Sequence, residues 1–216
     1  MDIFQQFVSG LQQTKLHEFI AVIFGIASVW FSKKENILVY PVGLVNTIIY
    51  IYISVDGHLF GEAAVNLYYT IVSIYGWILW SLKNDRRERV VQITFSSRRS
   101  WLYQLLFFAS FYVAIFMCLS YLKKEFAPGA LPAADAFASA TAFTGMWLMA
   151  KKKVESWYWW IATNIASIPL YFVKGYVFSS FYYLVLLVLA VWGLIEWSNK
   201  VQNAQKDSNY RPGVNR

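Results

Sequence analysis

Residues 154–172 read V-E-S-W-Y-W-W-I-A-T-N-I-A-S-I-P-L-Y-F, from Val154 to Phe172. Trp157, Trp160, Asn164, Ser167 and Tyr171 recur at steps of three and four, so a helix gathers them on one face. Composition puts that helix in a bilayer. Hydrophobic residues are 58% of the 216 and charged ones 14%, against about half apolar and about a quarter charged in soluble domains. An asparagine and two indoles turned inward at membrane depth point to a bound organic molecule.

The same composition removes other classes. A formal charge of +7 suggests nucleic acid, but a soluble basic domain does not carry this many apolar runs, so no nucleic-acid partner is expected. Cys118 is the one cysteine, which leaves no disulfide framework or thiolate metal site. His17 and His58 are too few and too close to helix ends for a metal centre. No Walker motif or zinc-binding pair occurs, and no nucleophile with an adjacent base lies at depth, so neither catalytic residues nor a cofactor are expected. The N-terminus lacks a basic n-region and a small-residue cleavage site, so no signal peptide is read there.

Seven apolar segments, near 17–32, 37–55, 60–82, 101–122, 132–150, 157–173 and 176–198, approach the ~20 residues that cross ~30 Å of hydrocarbon. Residues 1–16 read as an interfacial helix, with a frayed tail as the alternative. Fifteen Lys and Arg, from Lys33 and Lys34 through Lys151 to Lys153 to Arg216, fall on one side; only Lys15, Lys123, Lys124 and Lys174 fall on the other. That bias places the N-terminus outside and the C-terminus in the cytoplasm. Residues 199–216 read as a disordered, polar cytoplasmic tail that touches anionic headgroups.

The chain also repeats itself. Trp30 recurs as Trp147, Asn46 as Asn164, Gly57 as Gly175, Gly76 as Gly193 and Trp80 as Trp197. The shift is 117 residues at the ends and 118 in the middle, which one inserted residue reconciles. The expected plan is an all-α membrane protein of seven transmembrane helices in a 3+1+3 arrangement. Residues 17–82 form one three-helix repeat and 132–198 the other. Between them, 83–131 hold a cytoplasmic loop and linker helix four, which makes the repeats parallel.

In a parallel-repeat carrier, cargo binds near the midplane between the copies. Asn46 and Asn164 sit well inside their spans, and their matched positions favour a shared pocket over packing glue. The predicted binding set is Asn46, Tyr50, Asn66, Tyr69, Ser73, Trp157, Trp160, Asn164 and Tyr171, with Trp77 and Tyr68 beside the third-span stripe. Trp30, Trp80, Trp147 and Trp197 at span ends read as an interfacial belt. Pro41 and Pro169 are expected to kink their helices, Ser167 satisfying the carbonyl freed near the second. No carboxylate or histidine stands at mid-depth, so passive movement is preferred, with Asp135 and Glu62 attracting a cation from an outer vestibule.

K-K-V-E-S-W-Y-W-W-I-A-T-N (Lys152 to Asn164), N-I-L-V-Y-P-V-G-L-V-N (Asn36 to Asn46), I-Y-G-W-I-L-W (Ile74 to Trp80) and Asp135 resemble the PnuC family of bacterial vitamin-precursor transporters over nearly all of residues 16–200. The resemblance implies a fold similar to the SWEET sugar transporters. By the same resemblance, the W-x-x-W-x-x-x-N pattern at Trp157, Trp160 and Asn164 lines the pocket, with Asn46 as partner. It further implies facilitated uptake of nicotinamide riboside, a vitamin B3 form and NAD precursor, across the bacterial inner membrane. A cytoplasmic kinase then traps the product, and the assembly is a homotrimer. One departure is Asn66, where the family's nicotinamide riboside carriers tend to have Gln. Thiamine, also an aromatic cation, stays an alternative cargo. A membrane receptor without transport is the reading from another class.

Overall fold

The computed structural model describes residues 3–13, 15–56, 60–84, 89–125 and 131–210. Gly57, His58, Arg86, Arg87, Arg211 and Arg216 lie outside the described residues. Within them run eight helices: α1 Ile3–Gln13, α2 Leu16–Lys33, α3 Val39–Asp56, α4 Phe60–Ser81, α5 Arg98–Glu125, α6 Pro132–Ala150, α7 Ser156–Val173 and α8 Val177–Tyr210.

Five of these, α2, α3, α4, α5 and α8, are long and apolar enough to cross a membrane. The other two of the seven expected spans, α6 and α7, have 19 and 18 residues, so length does not set them apart. Their composition does. Eleven residues of α6 are buried, eight of them Ala, Thr or Gly, and α7 buries Ser156, Thr163, Asn164 and Ser167. Small and polar side chains suit helices that face protein, because they let neighbours approach and hydrogen-bond across.

Helix α2 packs on α3, α3 on α4, α4 on α6, α6 on α7, α7 on α8, and α8 back on α2. The six close into a ring. Outside the ring, α5 lies along α6 and reaches α7 and α4 through side chains, Gln104 accepting from the Trp159 indole at 3.1 Å and Phe111 standing 6.0 Å from Tyr68, while α1 packs on α8. Phe7 of α1 seats its ring 5.9 Å from Phe178 and 4.9 Å from Phe181.

The repeat is visible in the backbone. Helices α3 and α7, α4 and α8 begin 117 residues apart, and α2 and α6 end 117 apart. Between the last two ends and the next helices stand Glu35 (φ 55°) and Lys152 (φ 51°), also 117 apart. These are the described non-glycine residues in the left-handed region, a conformation that sterics rarely allow and that the tight turns here require. The expected 118-residue shift in the middle is not what forms. Helix α7 runs unbroken from Ser156 to Val173, leaving no place for an insertion. Asn46 therefore corresponds to Thr163, and Asn164 to Thr47. The two asparagines are one position out of register, about 100° around a helix.

Three further expectations are corrected. Pro41 is the third residue of α3, in a first turn where a missing N–H removes no helical bond, so it kinks nothing. Pro169 does lie inside α7, and beside it the Ser180 hydroxyl of α8 donates to the Ile168 carbonyl at 2.9 Å. The tail is helical to Tyr210, because Val201 is buried in the core cluster and Lys200 reaches Glu35. Trp80 and Trp197 are not belt residues. Both are buried, and their indole N–H groups donate to backbone carbonyls on the neighbouring helix of the ring: Trp80 to Ala150 at 3.1 Å, Trp197 to Ser32 and Lys33 at 3.2 Å each.

Candidate functional site

The ring has two ends and a middle. One end is held by charge and aromatic packing. Lys152 is wholly buried and its ammonium meets Glu35 at 2.6 Å; Arg89 and Lys200 approach the same carboxylate at 3.6 and 3.5 Å. Burial pushes the Lys152 ammonium below the usual lysine range, and the Glu35 hydrogen bond pulls it back up. Lys33 and Lys34 share Glu196 at 3.7 and 3.4 Å.

Below this network Tyr40 lies against Trp80 (5.1 Å, 86°) and Trp157 against Trp197 (5.5 Å, 87°). Tyr40 presses on Gly76 and Trp157 on Gly193, so closely that a Cβ at either glycine would stand 2.5 Å from the side chain. Those residues are again 117 apart, so the closure is two-fold in the sequence and in space. Trp157, expected on the pocket face, is in this closure, 1% exposed. Its indole N–H and the Tyr40 hydroxyl are the buried side-chain polar atoms without a partner among the described residues.

The middle of the ring draws residues from all six of its helices. Tyr69 of α4 stands 6.3 Å from Trp160 of α7 and 6.0 Å from Phe143 of α6. Trp160 lies flat over α6 because Gly145 has no side chain; a Cβ there would meet three indole atoms at 3.3 Å. From the other side, Tyr171 of α7 is 5.0 Å from Tyr183 of α8, which is 5.6 Å from Tyr182. Tyr182 and Asn46 converge on the bare face of Gly25, where a Cβ would collide with the hydroxyl and stand 3.1 Å from the amide nitrogen. Helices α4 and α8 do not pack on each other, yet Tyr69 and Tyr183 are within electrostatic reach, and so are Tyr50 and Tyr182. Those approaches cross the ring interior.

The predicted residues divide accordingly. Trp160, Tyr69, Tyr171, Tyr50 and Asn46 are brought toward one space, and Asn164, 3% exposed, is buried one turn beyond Trp160. Asn46 is partly committed, donating to the Ala21 carbonyl at 2.7 Å. Asn66 is turned to its own helix, where its amide donates to the Glu62 carbonyl at 3.0 Å. Ser73 is buried, whereas Trp77 is exposed at 39%. Tyr68 spans from α4 to the Phe143 carbonyl at 3.0 Å.

Sequence reasoning missed Tyr182 and Tyr183. The repeat held the signal: Tyr183 is 117 residues after Asn66, a position already chosen in the other copy. It also missed a buried clasp behind the site. The Glu155 carboxylate accepts from the Ser96 N–H (2.7 Å) and hydroxyl (2.8 Å); Gln104 donates to that hydroxyl and accepts from Trp159.

At the end opposite the basic network, Asp135 is not a free carboxylate. Lys174 meets it at 2.5 Å and the Leu131 N–H donates to it at 2.9 Å. Glu62 stands in electrostatic reach of both Lys174 and Asp135. Among the described residues no cluster of His, Cys, Asp and Glu offers a metal site.

A family model described as nicotinamide mononucleotide transporter matches residues 15–199. The chain belongs to this transporter family. It is 24% identical over 181 residues to the riboflavin/roseoflavin transporter RibM of Streptomyces davaonensis, covering 83% of each chain. To the nicotinamide riboside transporter PnuC of Escherichia coli it is 23% identical over 205 residues, 86% of each. To PnuC of Neisseria mucosa it is 27% identical over 194 residues, 85% of this chain and 72% of that one. A crystal structure of the vitamin B3 transporter PnuC matches with a TM-score of 0.65 at 24% identity, over 93% of this chain and 88% of the other. That likeness shows the fold. As a member of the transporter family the protein is a multi-pass membrane transporter and not an enzyme.

Proposed function

We propose that the protein carries nicotinamide riboside into the cell by facilitated diffusion, with cytoplasmic phosphorylation trapping the product. The observation that carries this reading is the ring interior, where Trp160, Tyr69, Tyr171, Tyr182 and Tyr183 gather and the Asn46 amide meets Tyr182 over Gly25. A fixed pyridinium cation is attracted to such ring faces by about 0.5–2 kcal/mol each. Asparagine amides both donate and accept, which suits ribose hydroxyls and a carboxamide. Relatives named for nicotinamide riboside transport, at 23% and 27% identity, support the cargo.

In this reading the ring is two parallel three-helix repeats, α2–α4 and α6–α8, joined by α5 as the linker. The Lys152–Glu35 end faces the cytoplasm of a bacterial inner membrane and the Asp135–Lys174 end faces outward. The carrier works as a homotrimer in lipid. Glu62, not the neutralised Asp135, supplies the outer attraction for a cation.

A second reading is riboflavin, favoured by the flavin transporter among the relatives at matching coverage. The two cargoes differ in charge. Calorimetric titration of the purified protein with nicotinamide riboside, riboflavin and thiamine decides between them. Saturable binding of the riboside alone is expected, and selective riboflavin binding overturns the cargo while leaving the carrier.

A further inference from the structure

Helix α5 lies outside the ring: its backbone runs along α6, Gln104 and Phe108 reach Trp159 of α7, and few residues of its spanning length are fully buried. Where it meets α6 near the basic end, a cleft of about 530 Å³ opens, with two chemistries in one space. Leu106, Phe107 and Trp147 form an apolar wall, the Phe107 and Trp147 rings stacked at 4.8 Å and 14°. Above it stand Lys151 and Lys153, with the Ser100 hydroxyl on the same rim.

These lysines differ from the cations of the paired network at that end. Lys33, Lys34, Arg89, Lys152 and Lys200 each meet Glu35 or Glu196. Lys151 instead lies over the Trp147 ring at 4.0 Å, and Lys153 donates to the Thr94 hydroxyl at 2.7 Å. Neither forms an ion pair among the described residues. Burial and the neighbouring Lys153 push the Lys151 ammonium below the usual lysine range, the signature of positive charge held without a counter-charge. A pair of cations above an apolar groove, at membrane-interface height between two helices, matches an anionic lipid. Its phosphate meets the ammonium groups and its acyl chains run along the wall.

We propose that the α5–α6 cleft is a binding site for an anionic phospholipid, with Lys151, Lys153 and Ser100 holding the headgroup phosphate and Leu106, Phe107 and Trp147 the first methylenes. This inference is independent of the cargo.

The test titrates the purified full chain in non-ionic detergent with phosphatidylglycerol, with phosphatidylcholine of the same chains, and with inorganic phosphate, reading bound lipid by native mass spectrometry and the melting temperature. Phosphatidylglycerol is expected to bind and raise the melting temperature, with phosphatidylcholine much weaker and inorganic phosphate silent. Lys151→Gln with Lys153→Gln is expected to weaken phosphatidylglycerol binding about 30-fold, the effect of losing two cations beside an anionic headgroup. Lys83→Gln with Arg98→Gln removes as much charge outside the cleft and is expected to leave binding within twofold. Equal response to the two lipids, a shift with inorganic phosphate, or equal losses in both double variants overturns the site. So does a cleft that a second copy of the chain covers in place of lipid, seen as oligomer dissociation in the cleft variant without any change in bound lipid.

Discussion

The basic end of the ring and its interior come from the same duplicated helices, yet one keeps the two-fold pattern and the other abandons it. At the closed end, Tyr40 on Gly76 matches Trp157 on Gly193, Trp80 matches Trp197, and Glu35 meets its own counterpart, Lys152. In the interior, Trp160 over Gly145 corresponds to Gly43 against Ser28, so the large and small partners are exchanged. Asn164 corresponds to Thr47, and Tyr183 to Asn66. A closure that only has to seal is served equally well by both copies. A small organic cargo has no two-fold axis, so a pocket that holds it in one orientation has to break the symmetry. The difference separates residues that keep the ring shut from residues that recognise what passes through it.

The comparison breaks most readily at Glu35. Glu35→Gln leaves a wholly buried ammonium without its carboxylate and is expected to destabilise the protein by about 3 kcal/mol, read as a fall in melting temperature in detergent. Adding Lys152→Met is expected to recover most of the loss. The sign with pH follows from the lowered Lys152 value. Without Glu35 the folded state sheds that proton before the unfolded state does, so the deficit narrows as pH rises toward the ordinary lysine value. An unchanged melt at neutral pH would show that the pair does not hold the closure.

Next come the glycine seats. Gly193→Ala places a methyl 2.5 Å from the Trp157 ring and Gly76→Ala one 2.6 Å from the Tyr40 ring, and each is expected to cost about 1–3 kcal/mol by overpacking. The two-fold reading requires similar costs. A large cost at one and none at the other, in the same melting assay, would make the closure asymmetric.

The interior gives the opposite pattern. Trp160→Ala is expected to weaken cargo binding about tenfold, from the loss of one cation–ring contact, and also to lower the melt, because the indole packs over Gly145 and on the core cluster. Gly43→Ala, at the corresponding position, changes binding only through its tight contact with Ser28. Calorimetry on both variants sharpens the contrast. Smallest of all is Pro41→Ala, expected within about 0.5 kcal/mol because first-turn proline replaces no helical hydrogen bond.

Much of this was legible in the residues. Apolar runs gave the helices, five of them long and apolar enough to cross a membrane, and the recurrence of Trp30, Gly76 and Trp80 marked the 117-residue spacing of the helix bounds. Register was harder to read. Asn46 and Asn164 look like a matched pair in the sequence, but the glycine seats and the turn at Glu35 and Lys152 set a shift that puts them one position apart. Trp157 was assigned to the pocket because helical periodicity tells which residues share a face, not what that face meets at each depth. About 1.5 Å of rise per residue puts Trp157 a turn nearer the helix start than Trp160, and that turn separates closure from chamber. Burial of Trp80 and Trp197 was hidden for a similar reason. A tryptophan at a span end reads as belt unless the carbonyls of the neighbouring helix are known.

The most direct test is uptake of labelled nicotinamide riboside into proteoliposomes containing the full chain, alongside the Trp160→Ala variant. Saturable uptake without an ion gradient or ATP, cut about tenfold or more by the substitution, is the predicted result. No saturable uptake by the unaltered chain, or equal uptake by both proteins, would contradict a cargo path through the middle of the ring.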